Sequence, residues 1–172
     1  MVNAYVKIDV ETGREKKARK AMRKIKGVIS EDFVAGRHDI LALVEGASYE
    51  KIATKVMGRM RKIKGVDKTI TNFVFDEQSP EESSEQMPEE KSEKVEVAKV
   101  YLKIDVETGK EKEVRDAMRK IKGVKRANLI TGRHDIMALV EGETHDEIAS
   151  TILGEIRKIK GINKTITNFV FD

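Results

Sequence analysis

Hydrophobic residues recur along this chain in two rhythms. Residues 4–10 alternate, with Val6, Ile8 and Val10 on one side and Tyr5, Lys7 and Asp9 on the other, the period-2 signature of a strand. Ala18, Ala21, Met22 and Ile25 then follow at helical spacing, and Gly27 suits the position just past a helix end. A second strand over 28–35 turns at Gly36-Arg37 into Ile40-Leu41-Ala42-Leu43-Val44, a continuous apolar run that suits the middle of a sheet. Ser48 caps a second helix with Ile52, Ala53, Val56, Met57, Met60 and Ile63 on one face and Gly65 at its end. Residues 68–75 supply the last strand. The order β-α-β-β-α-β is the ferredoxin-like plan, an α+β fold.

The pattern is written twice. A shift of 96 places superposes 4–76 on 100–172 without a gap, with 46 identities in 73 positions. In the second copy Thr144 and Glu147 have the spacing of a capping box. Two repeats are too few for a solenoid, which needs about three, so each copy closes its own core or closes it against its sister. The domains expected are 1–76 and 100–172. Between them, 77–99 carries eight Glu, three Lys and both prolines of the chain, the composition of a flexible acidic tether with a span of roughly 25 Å.

A lone module of this plan leaves one sheet face to water, and that face should then be polar. Here Tyr5 points away from the helices, and Phe73 and Phe75 are expected beside it. Such a patch is too apolar to stay wet. The equivalent face of the other copy, with Tyr101, Phe169 and Phe171, is the simplest cover. This gives two sheets packed face to face, a dimeric α/β barrel built within one chain. The other reading has each copy pairing with another chain in a larger assembly.

Composition narrows the chemistry. The 172 residues include no cysteine, which excludes disulfides, thiolate metal sites and cysteine nucleophiles. A 37% charged content with only two Gln reads as a solvated, heat-tolerant surface rather than a nucleic-acid face. No apolar run approaches the ~18–20 residues of a membrane span, so a cytoplasmic protein is expected. His38-Asp39 and His134-Asp135 are sequence neighbours, whose side chains point to opposite faces of a strand; no metal site is expected. His145-Asp146, in the first turn of a helix, is assigned to capping and solvation. Glu107-Thr108-Gly109-Lys110 lacks the upstream glycine of a phosphate loop, and no nucleophile elbow exists. No catalytic residue and no cofactor are expected, hence no enzyme. Gly58 and Gly154 interrupt the second helix at roughly 1 kcal/mol each, for which close helix packing or subunit contact is the expected reason, with approach of a ligand to the backbone as the alternative. Met22, Met57, Met60 and Met118 follow the apolar stripes and are expected in the core.

At the turn between the second and third strands stand Ala35-Gly36-Arg37-His38-Asp39-Ile40 and Thr131-Gly132-Arg133-His134-Asp135-Ile136. Together with Ile25-Lys26-Gly27-Val28 and Ile63-Lys64-Gly65-Val66, this ordered set resembles the effector (RAM) domain of the Lrp/AsnC regulators over nearly all of both copies. The resemblance implies modules that dimerise sheet to sheet and often form octamers, with amino acids or related metabolites in clefts between dimers. Carried over by position, the effector loop is Gly36, Arg37, His38 and Asp39, and in the second copy Thr131, Gly132, Arg133, His134 and Asp135. Thr69, Thr71, Thr165 and Thr167 of the last strands would lie nearby. The family's usual N-terminal helix-turn-helix has no counterpart, so direct DNA binding is not expected. Ala35 against Thr131 implies that one of the two sites is altered.

The chemistry of the turn fits two readings. Arg grips a carboxylate bidentately, Asp takes an ammonium, and a glycine turn lets backbone N–H groups approach a ligand. Equally, Gly36 can supply a positive φ and Asp39 can pair with its own turn. The function expected is small-molecule sensing through oligomer assembly or co-assembly with full-length regulators. An RNA-binding domain of the same element order is disfavoured because the third strand carries no aromatic residue. A dimeric α/β-barrel enzyme is disfavoured because no residue set marks a catalytic centre.

Overall fold

The computed structural model describes residues 1–76 and 97–171; the tether expected over 77–99 lies outside them up to residue 96. Copy one runs β1 (Val2–Val10), α1 (Glu15–Arg23), β2 (Val28–Val34), β3 (Ile40–Gly46), α2 (Tyr49–Lys55) and β4 (Val66–Phe73). Copy two runs β5 (Ala98–Val106), α3 (Glu111–Arg119), β6 (Val124–Leu129), β7 (Ile136–Gly142), α4 (His145–Gly154) and β8 (Ile162–Phe171). Ser48 Oγ accepts from the Lys51 N–H at 3.2 Å, and Thr144 Oγ1 from the Glu147 N–H at 3.1 Å, so both second helices start at their expected caps.

Each copy folds as an antiparallel sheet of order β4-β1-β3-β2 or β8-β5-β7-β6, with its two helices on one face. Val6, Ile8 and Ile40 meet Ala18, Met22, Ile52, Val56 and Met60 in the first core, and the second core matches it. At roughly 1.5–3 kcal/mol per large apolar side chain buried, these layers fix the helices on their sheets.

The two sheets then close on each other. At one seam β2 pairs with β8, Phe33 with Phe171 and Val34 with Val170. At the other, Val74 pairs with Ile130, and the Phe75 N–H donates to the Leu129 carbonyl at 3.2 Å. The result is an eight-stranded barrel with the helices outside, narrow enough for side chains to fill. Its interior holds Tyr5, Val34, Leu41, Leu43, Val74, Tyr101, Ile130 and Met137. Tyr5 and Tyr101 meet edge to face with ring centroids 6.4 Å apart.

The phenylalanines depart from expectation. Tyr5 stands opposite Asn72 and Lys7 opposite Ile70, so Ile70, Asn72 and Val74 face the barrel while Phe73 and Phe75 face outward. Phe73 packs under Tyr49 at 5.1 Å, and Phe169 under His145 at 5.2 Å; Phe75, Phe169 and Phe171 are exposed. Both rows of β4 are apolar, so alternation alone did not choose between them, and a one-residue choice exchanges the faces. His145 therefore takes the place that Tyr49 has in copy one, rather than serving only as a solvated cap.

Met57 is also exposed rather than in the core. After α2 the chain loosens into a π-helical turn over Val56–Met60, and the buried series runs Ile52, Val56, Met60. A Cβ added at Gly58 or Gly154 meets nothing within 4 Å, so close packing within the chain does not explain either glycine. No helix of the described residues is long and apolar enough to cross a membrane.

Candidate functional site at the basic end of the barrel

The two Gly-Arg-His-Asp loops sit at one end of the barrel, each locked by its own carboxylates. Asp39 Oδ2 accepts from the Val10 N–H at 2.8 Å, and His38 Nδ1 lies 2.6 Å from Asp9 Oδ1. Copy two repeats both contacts, Asp135 with Val106 at 2.8 Å and His134 with Asp105 at 2.7 Å. His38 and Asp39 thus hold the loop against β1, and His134 and Asp135 hold theirs against β5. Among the described residues no group of three or more His, Cys, Asp or Glu side chains is placed to hold a metal ion.

Gly36 has φ +121°, and a Cβ there would overlap the Nδ2 of Asn168, a residue of the other copy; Gly132, at φ +110°, faces Asn72 in the same way. Glycine is required here by a left-handed backbone and by a close neighbour together. Asn168 Nδ2 donates to the Ala35 carbonyl at 2.8 Å and Asn72 Nδ2 to the Thr131 carbonyl at 2.7 Å. Each loop is therefore packed on the last strand of the sister copy.

Thr131 belongs to the seam. Its Oγ1 accepts from the Phe73 N–H at 2.9 Å, and its own N–H donates to the Phe73 carbonyl at 2.9 Å. At the other seam Ala35 keeps the backbone bond, to the Phe169 carbonyl at 2.8 Å, without a hydroxyl. The Ala35/Thr131 difference thus alters a seam contact. Thr69 and Thr71 stand opposite Ile8 and Val6, and Thr165 and Thr167 opposite Ile104 and Leu102. All four threonines lie on the helix-facing side of the sheets, away from the barrel interior.

What remains presented at this end is positive charge. Arg37 and Arg133 are exposed, and between them Lys7 and Lys103 project into the barrel. Lys7 is only 6% exposed and makes no hydrogen bond or ion pair among the described residues. Burial first, then the charges of Lys103, Arg133 and Arg37, push its pKa down to about 8. Burial, Arg37 and Arg133 lower Lys103 likewise. Lys7, Lys103, Val34, His38, Leu41 and Asn168 surround a cavity of about 10 Å³, room for one water or one ligand atom. The buried Oδ1 atoms of Asn72 and Asn168 have no hydrogen-bond partner. Asp9 and Asp105, on the same strand faces, are engaged by His38 and His134. An isolated buried ammonium is unfavourable unless paired, so four cations that form no ion pair among the described residues suit an incoming anion.

Lys7, Lys103, Asn72 and Asn168 were not among the expected site residues. Their signal was present: Lys7 sits in the Tyr5-Lys7 row, on the face that the patterning says is buried.

The sequence model of the family described as the Lrp/AsnC ligand binding domain matches residues 3–83 and again 99–172. An uncharacterized HTH-type transcriptional regulator of Pyrococcus furiosus, PF0250, is 30% identical over 73 residues, 42% of this chain and 49% of the relative. The chain spans about half the length of the curated relatives it matches. Over 99% of the chain the fold is similar to the siroheme decarboxylase NirDL, at TM-score 0.69, 13% identity and 71% of that structure. A putative monooxygenase from Lactobacillus acidophilus is similar over 99% of the chain and 92% of its own, at TM-score 0.60 and 8% identity. These two likenesses concern the barrel fold alone.

Proposed function

The chain belongs to the Lrp/AsnC ligand-binding-domain family, and on that premise we propose that it is a sensor whose basic end receives the carboxylate of an amino acid or related metabolite. One observation carries the reading: a buried lysine with no partner, flanked by Lys103, Arg37 and Arg133, lies where the two family-type loops converge. A carboxylate reaching Lys7 would relieve the repulsion among the four cations, and Arg37 and Arg133 can close on it bidentately. The response runs through assembly, either with further copies or with full-length regulators of the family, and involves no chemical step. His38, Asp39, His134 and Asp135 act here as braces that set the loop, with Arg37 and Arg133 as the contacts.

The test is a melting and light-scattering survey of the full chain against amino acids and related carboxylates. An effector should raise the melting temperature or shift the solution mass. Replacing both Arg37 and Arg133 with Ala should remove that response. If no such compound acts while an RNA ladder is retarded at moderate salt, the sensor reading fails and an RNA-binding barrel replaces it.

A further inference from the structure

The barrel contains a second, larger cavity that lies in the other direction along β1 and β3. About 230 Å³, open to solvent, is lined by Tyr5, Ser30, Asp32, Leu43, Tyr101, Arg126 and Leu139, and by the Lys99 and Glu141 side chains. Its two tyrosines hold polar partners in place. The Tyr101 hydroxyl donates to Asp32 Oδ2 at 2.7 Å, Tyr5 donates to Asn128 Oδ1 at 3.2 Å, and Arg126 is hydrogen-bonded to Tyr5.

The copies differ here more than anywhere else. All seven positions 29–35 differ from 125–131, although 46 of 73 positions are identical overall. The last three of the seven lie at the seams, as Val34–Val170 and Val74–Ile130 show. The seams do not account for Ser30 and Asp32 of β2 standing where β6 has Arg126 and Asn128. These four are inward-facing, opposite Leu43, Leu41, Leu139 and Met137. The acid therefore comes from one copy and the base from the other. Neither Asp32 nor Arg126 is in an ion pair among the described residues, whereas Lys99 and Glu141 face each other at 4.0 Å.

We propose that this cavity binds a small zwitterion, its ammonium on Asp32 and its carboxylate on Arg126. A site with one unpaired acid and one unpaired base, otherwise neutral, is matched by a dipolar ligand; a ligand of single charge leaves one of the two unsatisfied. The site is separate from the basic end and does not depend on it.

The experiment titrates the full chain with the twenty common amino acids, following tyrosine fluorescence and heat of binding. Tyr5 and Tyr101 are two of the three tyrosines, and there is no tryptophan, so the optical signal reports on this cavity. For each amino acid that binds, the matching primary amine and carboxylic acid are titrated too. Asp32→Asn and Arg126→Ser install the residue that the sister copy already carries at that place, so the fold accommodates them. At least one amino acid should bind, with its one-charge analogues and both variants weaker by at least about tenfold, as expected for losing a charge-assisted hydrogen bond. Met57→Ala, on the outer surface, should leave that affinity within about twofold. The proposal is overturned if no amino acid binds, or if Asp32→Asn and Arg126→Ser both retain full affinity. Binding lost only in the Arg37/Arg133 variant would assign the amino acid to the basic end. Binding lost only in the cavity variants, with no effect of any carboxylate at the basic end, would retire the sensor reading of that end and keep this one.

Discussion

The two ends of the barrel interior are made by the same strands and obey different rules. At the basic end every key residue is duplicated: Lys7 and Lys103, Arg37 and Arg133, His38 and His134, Asn72 and Asn168. Two residues back along the strands, the duplication breaks: Ser30 and Asp32 stand where the second copy has Arg126 and Asn128, and the first three line one cavity. A repeated cation accumulates charge and asks for an anion from outside. A diverged pair separates charge within the molecule and leaves its net value near zero. Gene duplication by itself yields only the first kind of site; the second requires the copies to be told apart.

Several substitutions break or sharpen that contrast. Tyr5→Ala removes a fully buried ring that partitions the interior, and should cost about 3–5 kcal/mol in chemical denaturation. Phe75→Ala, on the outside, should change stability by no more than about 0.5 kcal/mol; equal losses would restore phenylalanine to the interior. Lys7→Met should raise stability at pH 7 by about 3 kcal/mol, since a lysine ordinarily titrates near ~10.4 and this one near about 8. Between those two values the unfolded chain binds the proton that the folded chain has released, so wild-type stability should rise with pH across that window. Below about 8 both states are protonated and the full penalty remains. An anion seated on Lys7 raises its folded pKa and should flatten the rise, which melting curves at pH 7 to 11 will show. Gly36→Ala meets both a left-handed backbone and Asn168, and should cost about 1–3 kcal/mol. Thr131→Ala removes one neutral hydrogen bond at the second seam, about 1 kcal/mol, and leaves there the backbone-only contact that Ala35 makes at the first.

Much of this architecture was legible in the residues. The repeat, the six elements per copy, the Ser48 and Thr144 caps and the clasp of two sheets through Tyr5 and Tyr101 all follow from periodicity and self-similarity. The seams were not legible. They are backbone hydrogen bonds between strands far apart in the chain, and a backbone carries no letter in the sequence. The face of the phenylalanines was not legible, because Ile70 and Val74 compete with them for the same role. Met57 was not legible because the buried stripe is narrow, Ile52, Val56 and Met60, and leaves position 57 outside it, as the second copy leaves Leu153. The basic end was half legible: Arg37 and Arg133 came from the loop pattern, while Lys7 was a charge on a face already judged to be covered. Asn168 and Asn72 reach across to the other copy's loop, a relation that only the closed barrel creates.

The single chain also settles a problem of pairing. Were the two halves made as separate polypeptides, random association would yield three species, and only the mixed one would bring Asp32 and Arg126 to the same chamber. Covalent linkage enforces a one-to-one ratio and suppresses both self-paired forms. If the halves were expressed apart, the fraction of mixed pairs would measure how strongly each recognises the other over itself.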